Sequence, residues 1–218
     1  RLLYREWFVH LRFPGHEHVK VVDGVPEGWV LCSAFDAMDV MSGGTPKTDV
    51  SDYWHGEIPF FTPKDAVDAP YVLDTEKHLT DRGLAACNSQ LYPKDTIFIT
   101  ARGTVGNLNL AQAPMAMNQS CYALKGKGDL SQFFLFNALK EAVQQFKSRA
   151  GGAVFDAIVV NTFKLIPFLR PPQELVREYT GTVDPMFSQI ERLLLQSAKL
   201  REARDLLLPR LMSGELVV

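Results

Sequence analysis

From Val176 onward the chain carries apolar residues on a seven-residue repeat, which calls for a long helix with an uncovered stripe. With Val176 at heptad position a, the a sites are Val176, Val183, Ile190, Ser197, Arg204 and Leu211. The d sites are Tyr179, Met186, Leu193, Leu200 and Leu207. Every d site is apolar, while Ser197 and Arg204 interrupt the a row. Helix pairing is therefore expected through Val183, Met186, Ile190, Leu193, Leu200 and Leu207. Asp184-Pro185 reads as a cap and first helical residue, so a short helix is expected before a longer one. The longer one should bend at Pro209 and stop at Ser213-Gly214. A lone helix of this length needs a partner over its stripe. Residues 1 to 13 read as the tail of such a partner, with Leu2, Leu3, Trp7 and Phe8 at partial helical spacing before Pro14-Gly15. The first residue is Arg1 rather than methionine, and the expectation is that the chain begins inside a longer protein.

The segment between these helical ends follows a different period. KVVDGVPEGW (residues 20 to 29) is punctuated by Asp23-Gly24 and Pro26. TIFIT (96 to 100) alternates and is β-branched, and CYALKG (121 to 126) reads as another strand. KLIPFLRPP (164 to 172) reads as a last strand running into prolines. One helix is expected from about Asp129 or Ser131 as cap, burying Phe134, Leu135, Ala138, Leu139, Ala142 and Phe146 and ending at Gly151-Gly152. The fold class is thus α+β: a β-rich domain over about residues 16 to 170, preceded by a helix tail (1 to 15) and followed by a spacer helix (171 to 218).

Composition narrows the function. No apolar run approaches the roughly 20 residues that span a bilayer. The three cysteines, Cys32, Cys87 and Cys121, are too few and too scattered for a disulfide framework or a zinc site, so a cytoplasmic protein is expected. His10, His16 and His18 lack a complement of other ligands and read as surface residues. The formal net charge of −2 argues against an autonomous nucleic-acid binder. Residues 121 to 170 are locally basic and 49 to 95 acidic, so a polyanion should meet one face only.

IFITARGTVGNL (97 to 108) has the glycines and hydroxyls of a phosphate loop, yet lacks G-x-G-x-x-G and the Gly-Lys-Ser/Thr ending, and no helix follows it. A nucleotide cofactor is thereby disfavoured. Two readings stay open: a β-hairpin turn, or a loop that sets Arg102 and the hydroxyls of Thr100 and Thr104 against a polyanion. AMNQS (116 to 120) offers amides that pair with adenine or satisfy buried backbone. GGTPK and FFTPK each present a hydroxyl, a stiff turn and a cation; SGGTPK (42 to 47) reads as a loop whose glycines permit backbone angles that other residues resist.

In order and approximate spacing, SGGTPK, YWHGEIPFFTPKD, ITARGTVGN, MNQSCYAL and PPQELV resemble the DNA-specificity (S) subunits of type I restriction–modification enzymes. YREWFVHLRFPGHEHVKVVDGVPEGW looks like the junction before the second target-recognition domain, and LLPRLMSGEL is similar to the distal conserved region. The resemblance implies a non-catalytic C-terminal half of such a subunit. Its domain would read half of a bipartite duplex site beside methyltransferase and restriction/translocase subunits. S-adenosylmethionine and ATP would bind those partners and no cofactor would bind here. The spacer helix would pair with the other half of the subunit or a second copy. Carried over by motif, Thr45, Lys47, Lys64, Thr100, Arg102, Thr104, Asn118, Gln119 and Ser120 would face DNA, with Gly103 and Gly106 shaping the loop. Ala101 stands where relatives often have a small hydroxyl residue, which would remove one phosphate contact. The rival expectation is a coiled-coil assembly module that docks protein partners without reading DNA.

Overall fold

The computed structural model describes residues 1–149 and 157–215, with side chains up to residue 145 and from 157 onward. Twelve strands are described: β1 (Val21–Val22), β2 (Val25–Pro26), β3 (Val30–Ser33), β4 (Met38–Ser42), β5 (Trp54–Phe61), β6 (Tyr71–Val72), β7 (His78–Leu79), β8 (Ile97–Thr100), β9 (Leu108–Ala111), β10 (Ala116–Met117), β11 (Cys121–Gly126) and β12 (Pro167–Arg170). The helices are α1 (Leu2–Tyr4), continued by a wider π-helical turn over Arg5–Val9, then α2 (Ala34–Ala37), α3 (Asp81–Ala85), α4 (Gln132–Arg149), α5 (Val160–Leu165) and α6 (Gln173–Met212). The α+β expectation holds.

The central sheet runs β4-β11-β8-β9-β6, antiparallel except for the parallel β9–β6 edge. Both of its faces are covered, and the period-two alternation of a strand divides its residues between them. Ile97, Ile99, Leu110 and Leu124 join the cluster built with α4 and α6. Phe98, Ala111, Cys121 and Ala123 face the other way, against Phe61, Tyr92 and Met117 of the second layer. That layer is the sheet β10-β5-β7. Strand β12 pairs with β3, so the chain closes on the start of the domain. Cys121 is the buried thiol expected, and burial pushes its pKa up to about 12.

The N-terminal helix ends earlier than Pro14-Gly15 suggests. It stops after Val9, and Leu11 takes a left-handed φ of 57° that no helix continues through. Phe13 then turns inward onto Trp29, with ring centroids 5.1 Å apart. Helix α4 is present, but Asp129 does not cap it: its carboxylate accepts from Gln173 Nε2 and ties the starts of α4 and α6 together. Phe134, Leu135, Ala138 and Leu139 are buried as expected; the Phe146 side chain and Gly151-Gly152 lie outside the described residues.

Helix α6 is one continuous element rather than two, with Pro185 and Pro209 inside it. A proline in mid-helix leaves the carbonyl four residues earlier without a donor and crowds it. Here that residue is Gly181, which is exposed, so its carbonyl meets water, and no atom lies within 4 Å of the place a Cβ would fill. Packing on both sides holds the helix through the defect: Val183 and Phe187 are buried, and Phe187 stacks on Phe133 at 4.3 Å. The forty residues span about 60 Å at 1.5 Å per residue.

The heptad seam changes role along this length. Val176, Tyr179 and Val183 are buried in this domain's own core, so Val183 is not a free pairing residue. Tyr179 packs on Phe8 (5.1 Å), Trp7 (5.8 Å) and Phe134 (6.0 Å). Further along, Met186, Leu193, Leu200 and Leu207 are exposed, with Leu193 at 52% and Leu200 at 71%. Ile190 is half-buried between the two regimes.

The helix leaves the domain just past a polar latch. Lys94 Nζ donates to both carboxylate oxygens of Glu191, at 2.6 and 2.7 Å, and Gln112 Nε2 donates at 3.1 Å. Burial alone would raise the Glu191 pKa; the bonds from Lys94 and Gln112 outweigh it and hold it below the ordinary carboxylate range. A carboxyl whose folded pKa is depressed contributes stability above its unfolded value, about 4.3, and loses it as pH falls through the folded value. Lys94 is half-exposed, so the contribution is about 0.5–1 kcal/mol. Glu191→Gln should lower stability by that amount at pH 7, and the difference should shrink as pH falls below about 4, measured by denaturant unfolding across that range.

Candidate nucleic-acid interface

Topology brings the four predicted loop segments to one pole of the sheets. In the β4–β11 ladder Ser42 lies opposite Tyr122, and in the β11–β8 ladder Cys121 lies opposite Thr100. The exits of β4 and β8 and the entrance of β11 therefore sit side by side. Parallel pairing of β10 with β5, Met117 against Phe61, brings the exits of those strands to one end as well. Asn118 N donates to Phe61 O at 3.0 Å and Gly44 N to Met117 O at 3.1 Å, which joins the two groups.

Hydrogen bonds between loops then fasten the pole. Thr45 Oγ1 donates to Gln119 Oε1. Ala101 N and Arg102 N donate to Ser120 O, at 2.8 and 3.3 Å. Thr104 Oγ1 donates to Pro63 O at 3.3 Å. Thr62 and Asp65 form a capping box, which turns FFTPKD through a short 3₁₀ turn and leaves Lys64 exposed. Trp54 Nε1 donates to Lys47 O at 3.1 Å.

The glycines of SGGTPK work by closeness, not by unusual angles. Neither has a positive φ; a Cβ on Gly43 would lie 2.3 Å from Asn118 O, and one on Gly44 2.6 Å from Asn88 N. Gly103 and Gly106 do shape the hairpin loop through left-handed φ values of 78° and 83°. The segment 97 to 108 is a hairpin, with β8 and β9 antiparallel, and its loop also presents Arg102 to solvent.

Several expected contact residues prove to be builders. Thr100 is 0% exposed; its hydroxyl donates to Thr104 O and accepts from Asn107 N at 3.0 Å, so it cannot face a polyanion. Asn118 Oδ1 accepts from Ser120 N at 3.0 Å, which spends the amide oxygen on the loop's own backbone. Ala101 is 3% exposed, so the side chain there points inward and no phosphate contact is lost by its being alanine. Thr45, Lys47, Lys64, Arg102, Thr104 and Gln119 are exposed at the pole, and Ser120 is half-buried. Among the described residues, Lys47, Lys64 and Arg102 have no carboxylate partner.

Three described cations of the basic stretch 121 to 170, Lys127, Lys140 and Lys164, are engaged away from this pole. Lys127 and Lys164 both sit 5.2 Å over the Phe35 ring on α2, and Lys127 Nζ donates to Phe35 O at 3.0 Å. They lie where Met38 pairs with Gly126, the opposite end of the β4–β11 ladder. Lys140 lies over Phe136 on α4. Among the described residues, the loops themselves bring Lys47, Lys64 and Arg102 to the pole.

A family model described as "Type I restriction modification DNA specificity domain" matches residues 26–183 of the 218. The chain belongs to this family. Among relatives of this specificity domain, the type I restriction enzyme MjaIX specificity subunit of Methanocaldococcus jannaschii is 28% identical over 154 residues, covering 69% of this chain and 36% of that protein. The HindI specificity subunit of Haemophilus influenzae is 26% identical over 195 residues, covering 88% and 42%. Among solved structures, the HsdS subunit from Thermoanaerobacter tengcongensis superposes with TM-score 0.57 at 20% identity, covering 99% of this chain and 51% of that one. The S subunit from M. genitalium gives TM-score 0.59 at 17% identity, covering 84% and 45%. The chain spans about half or less of the length of these relatives.

Residues that the motifs did not single out also position the site. Asn109, fully buried in β9, donates to Val67 O (2.9 Å) and Ala69 O (2.6 Å) and so holds the segment that follows the FFTPKD turn. Its signal in the sequence is a polar residue at an inward position of LNLA, which demands partners. Tyr92 donates to Ser42 O at 3.0 Å and fixes the exit of β4. Gly43→Ala should force Asn118 and the MNQS loop to shift, costing about 1–3 kcal/mol in thermal or denaturant unfolding.

Proposed function

We propose that this specificity domain reads one half of a bipartite duplex DNA site through the loop pole, while the exposed length of α6 acts as a spacer that pairs with another helix. The observation that carries this reading is the convergence of four separate loops on one face, with no carboxylate partner for Lys47, Lys64 or Arg102 among the described residues. Such cations suit phosphate oxygens, and the guanidinium fork of Arg102 also suits the O6/N7 edge of guanine. A surface built only to dock protein has no need to gather unpaired cations, which favours DNA reading over an assembly module alone.

On this reading the chain does no chemistry. Methyltransferase subunits carrying S-adenosylmethionine modify adenine, and restriction/translocase subunits use ATP. The low net charge fits a division in which those partners supply much of the nonspecific affinity and the domain supplies base contacts with a few phosphate contacts. The row Met186, Leu193, Leu200 and Leu207 is exposed at heptad spacing and supports pairing with the other half of the subunit or a second copy.

Selection from a degenerate duplex library with the assembled complex should recover a preferred half-site. Arg102→Ala should weaken binding by about 1–3 kcal/mol if it reads guanine, or reduce the salt slope by about one if it holds phosphate. Unchanged affinity and unchanged slope would remove this loop from the interface. Leu200→Glu should abolish helix pairing, read by sedimentation or crosslinking, with no change in the unfolding of the globular part, since Leu200 touches none of its core.

A further inference from the structure

Strand β5 breaks its ladder with β7 between Trp54 and Ile58, and His55 sits in that bulge with a φ of 64°. Left-handed backbone is strained for a residue with a Cβ, and such strain persists where the surroundings impose it. The adjoining Gly56 does not take the left-handed position. It is needed for close approach: a Cβ there would lie 2.3 Å from Leu79 O. The bulge therefore turns His55 outward at a conformational cost, which is how bulges re-aim a side chain.

His55 borders an open groove of about 360 Å³ walled by Asp49, Trp54, Glu76 and Lys77. The groove adjoins the loop pole, because the indole of Trp54 donates to the backbone of Lys47 at 3.1 Å. Its chemistry differs from the pole's. Among the described residues the pole offers Lys47, Lys64 and Arg102 without carboxylate partners, whereas the groove mixes the carboxylates of Asp49 and Glu76 with the imidazoles of His55 and His78 (the latter 2.9 Å from Asp74) and an ammonium. Lys77 Nζ sits 5.5 Å over the Trp54 ring, which holds that ammonium at the groove wall. Carboxylates repel phosphate but accept from the exocyclic amino groups of cytosine and adenine. A groove of donors and acceptors beside a cationic rim matches base edges lying beside a phosphate backbone.

We propose that the His55 bulge and its groove form a base-reading element, with the carboxylates favouring an amino-bearing base and His55 contacting the same base-pair edge. This rests on the DNA-reading function proposed above. The test is selection from a randomised duplex library by the full-length protein in its methyltransferase complex, comparing wild type with His55→Gly. The variant should melt no lower than wild type, because glycine relieves the backbone. Its salt dependence should be unchanged, while preference at one half-site position falls about tenfold. The proposal is overturned by unchanged preferences at every position, by a uniform loss with a shallower salt slope (a phosphate contact), or by a lower melting temperature. A wild type that recovers no half-site at all would instead remove the DNA-reading function beneath it.

Discussion

Tyr179 joins parts of the chain that are far apart in sequence. Its ring contacts Tyr4, Trp7 and Phe8 from the N-terminal helix and Phe134 from α4. Edge-to-face packing of this kind is directional, so it sets an angle as well as a distance. The angle of α6 on the domain follows from it, and so does the route of the helix past Phe133, Phe187 and the Lys94–Glu191 latch. Leu194 is the last α6 residue packed against the core cluster, and the apolar side chains of Leu200 and Leu207 beyond it are exposed. The exposure of Leu200 and Leu207 follows from where the domain releases the helix, whereas Met186 lies on the outer side of the packed part.

The sheet pole depends on a second constraint, the closeness of backbones. Gly43 and Gly44 let the β4 exit lie directly against Asn118 and Asn88, and once there Thr45 reaches Gln119. Polar side chains at the pole are divided by this geometry. Thr100 and Asn118 are consumed in satisfying loop backbone, as buried or half-buried polar groups must be. Long cations escape the same fate because their charged ends extend beyond the loops that carry them.

Local patterns with short-range causes were legible in the sequence. Alternation in TIFIT and CYALKG, the hairpin loop at Gly103 and Gly106, the stop at Ser213-Gly214 and the heptad row each depend on residues a few positions apart. The end of the N-terminal helix is not legible in the sequence, because Leu11 adopts a left-handed angle that its type does not advertise. Pro185 resembles a helix start in sequence because its cost is local, while the burial of Val183 and Phe187 that offsets it is not. Where the cations of 121 to 170 lie is likewise set by long-range contacts: Lys127 and Lys164 are neighbours of Phe35 in space, at the far end of the sheet from the loops.

The sequence by itself determined the α+β class, the long C-terminal helix and the set of loops that the fold gathers at one pole. It did so because periodicity, turn residues and ordered motifs are written along the chain. Only the tertiary structure decided which loop residues face outward, which heptad positions remain free and where His55 is strained. Those outcomes depend on strand register and on contacts between segments distant in sequence, and neither register nor packing angle is a property of any one stretch.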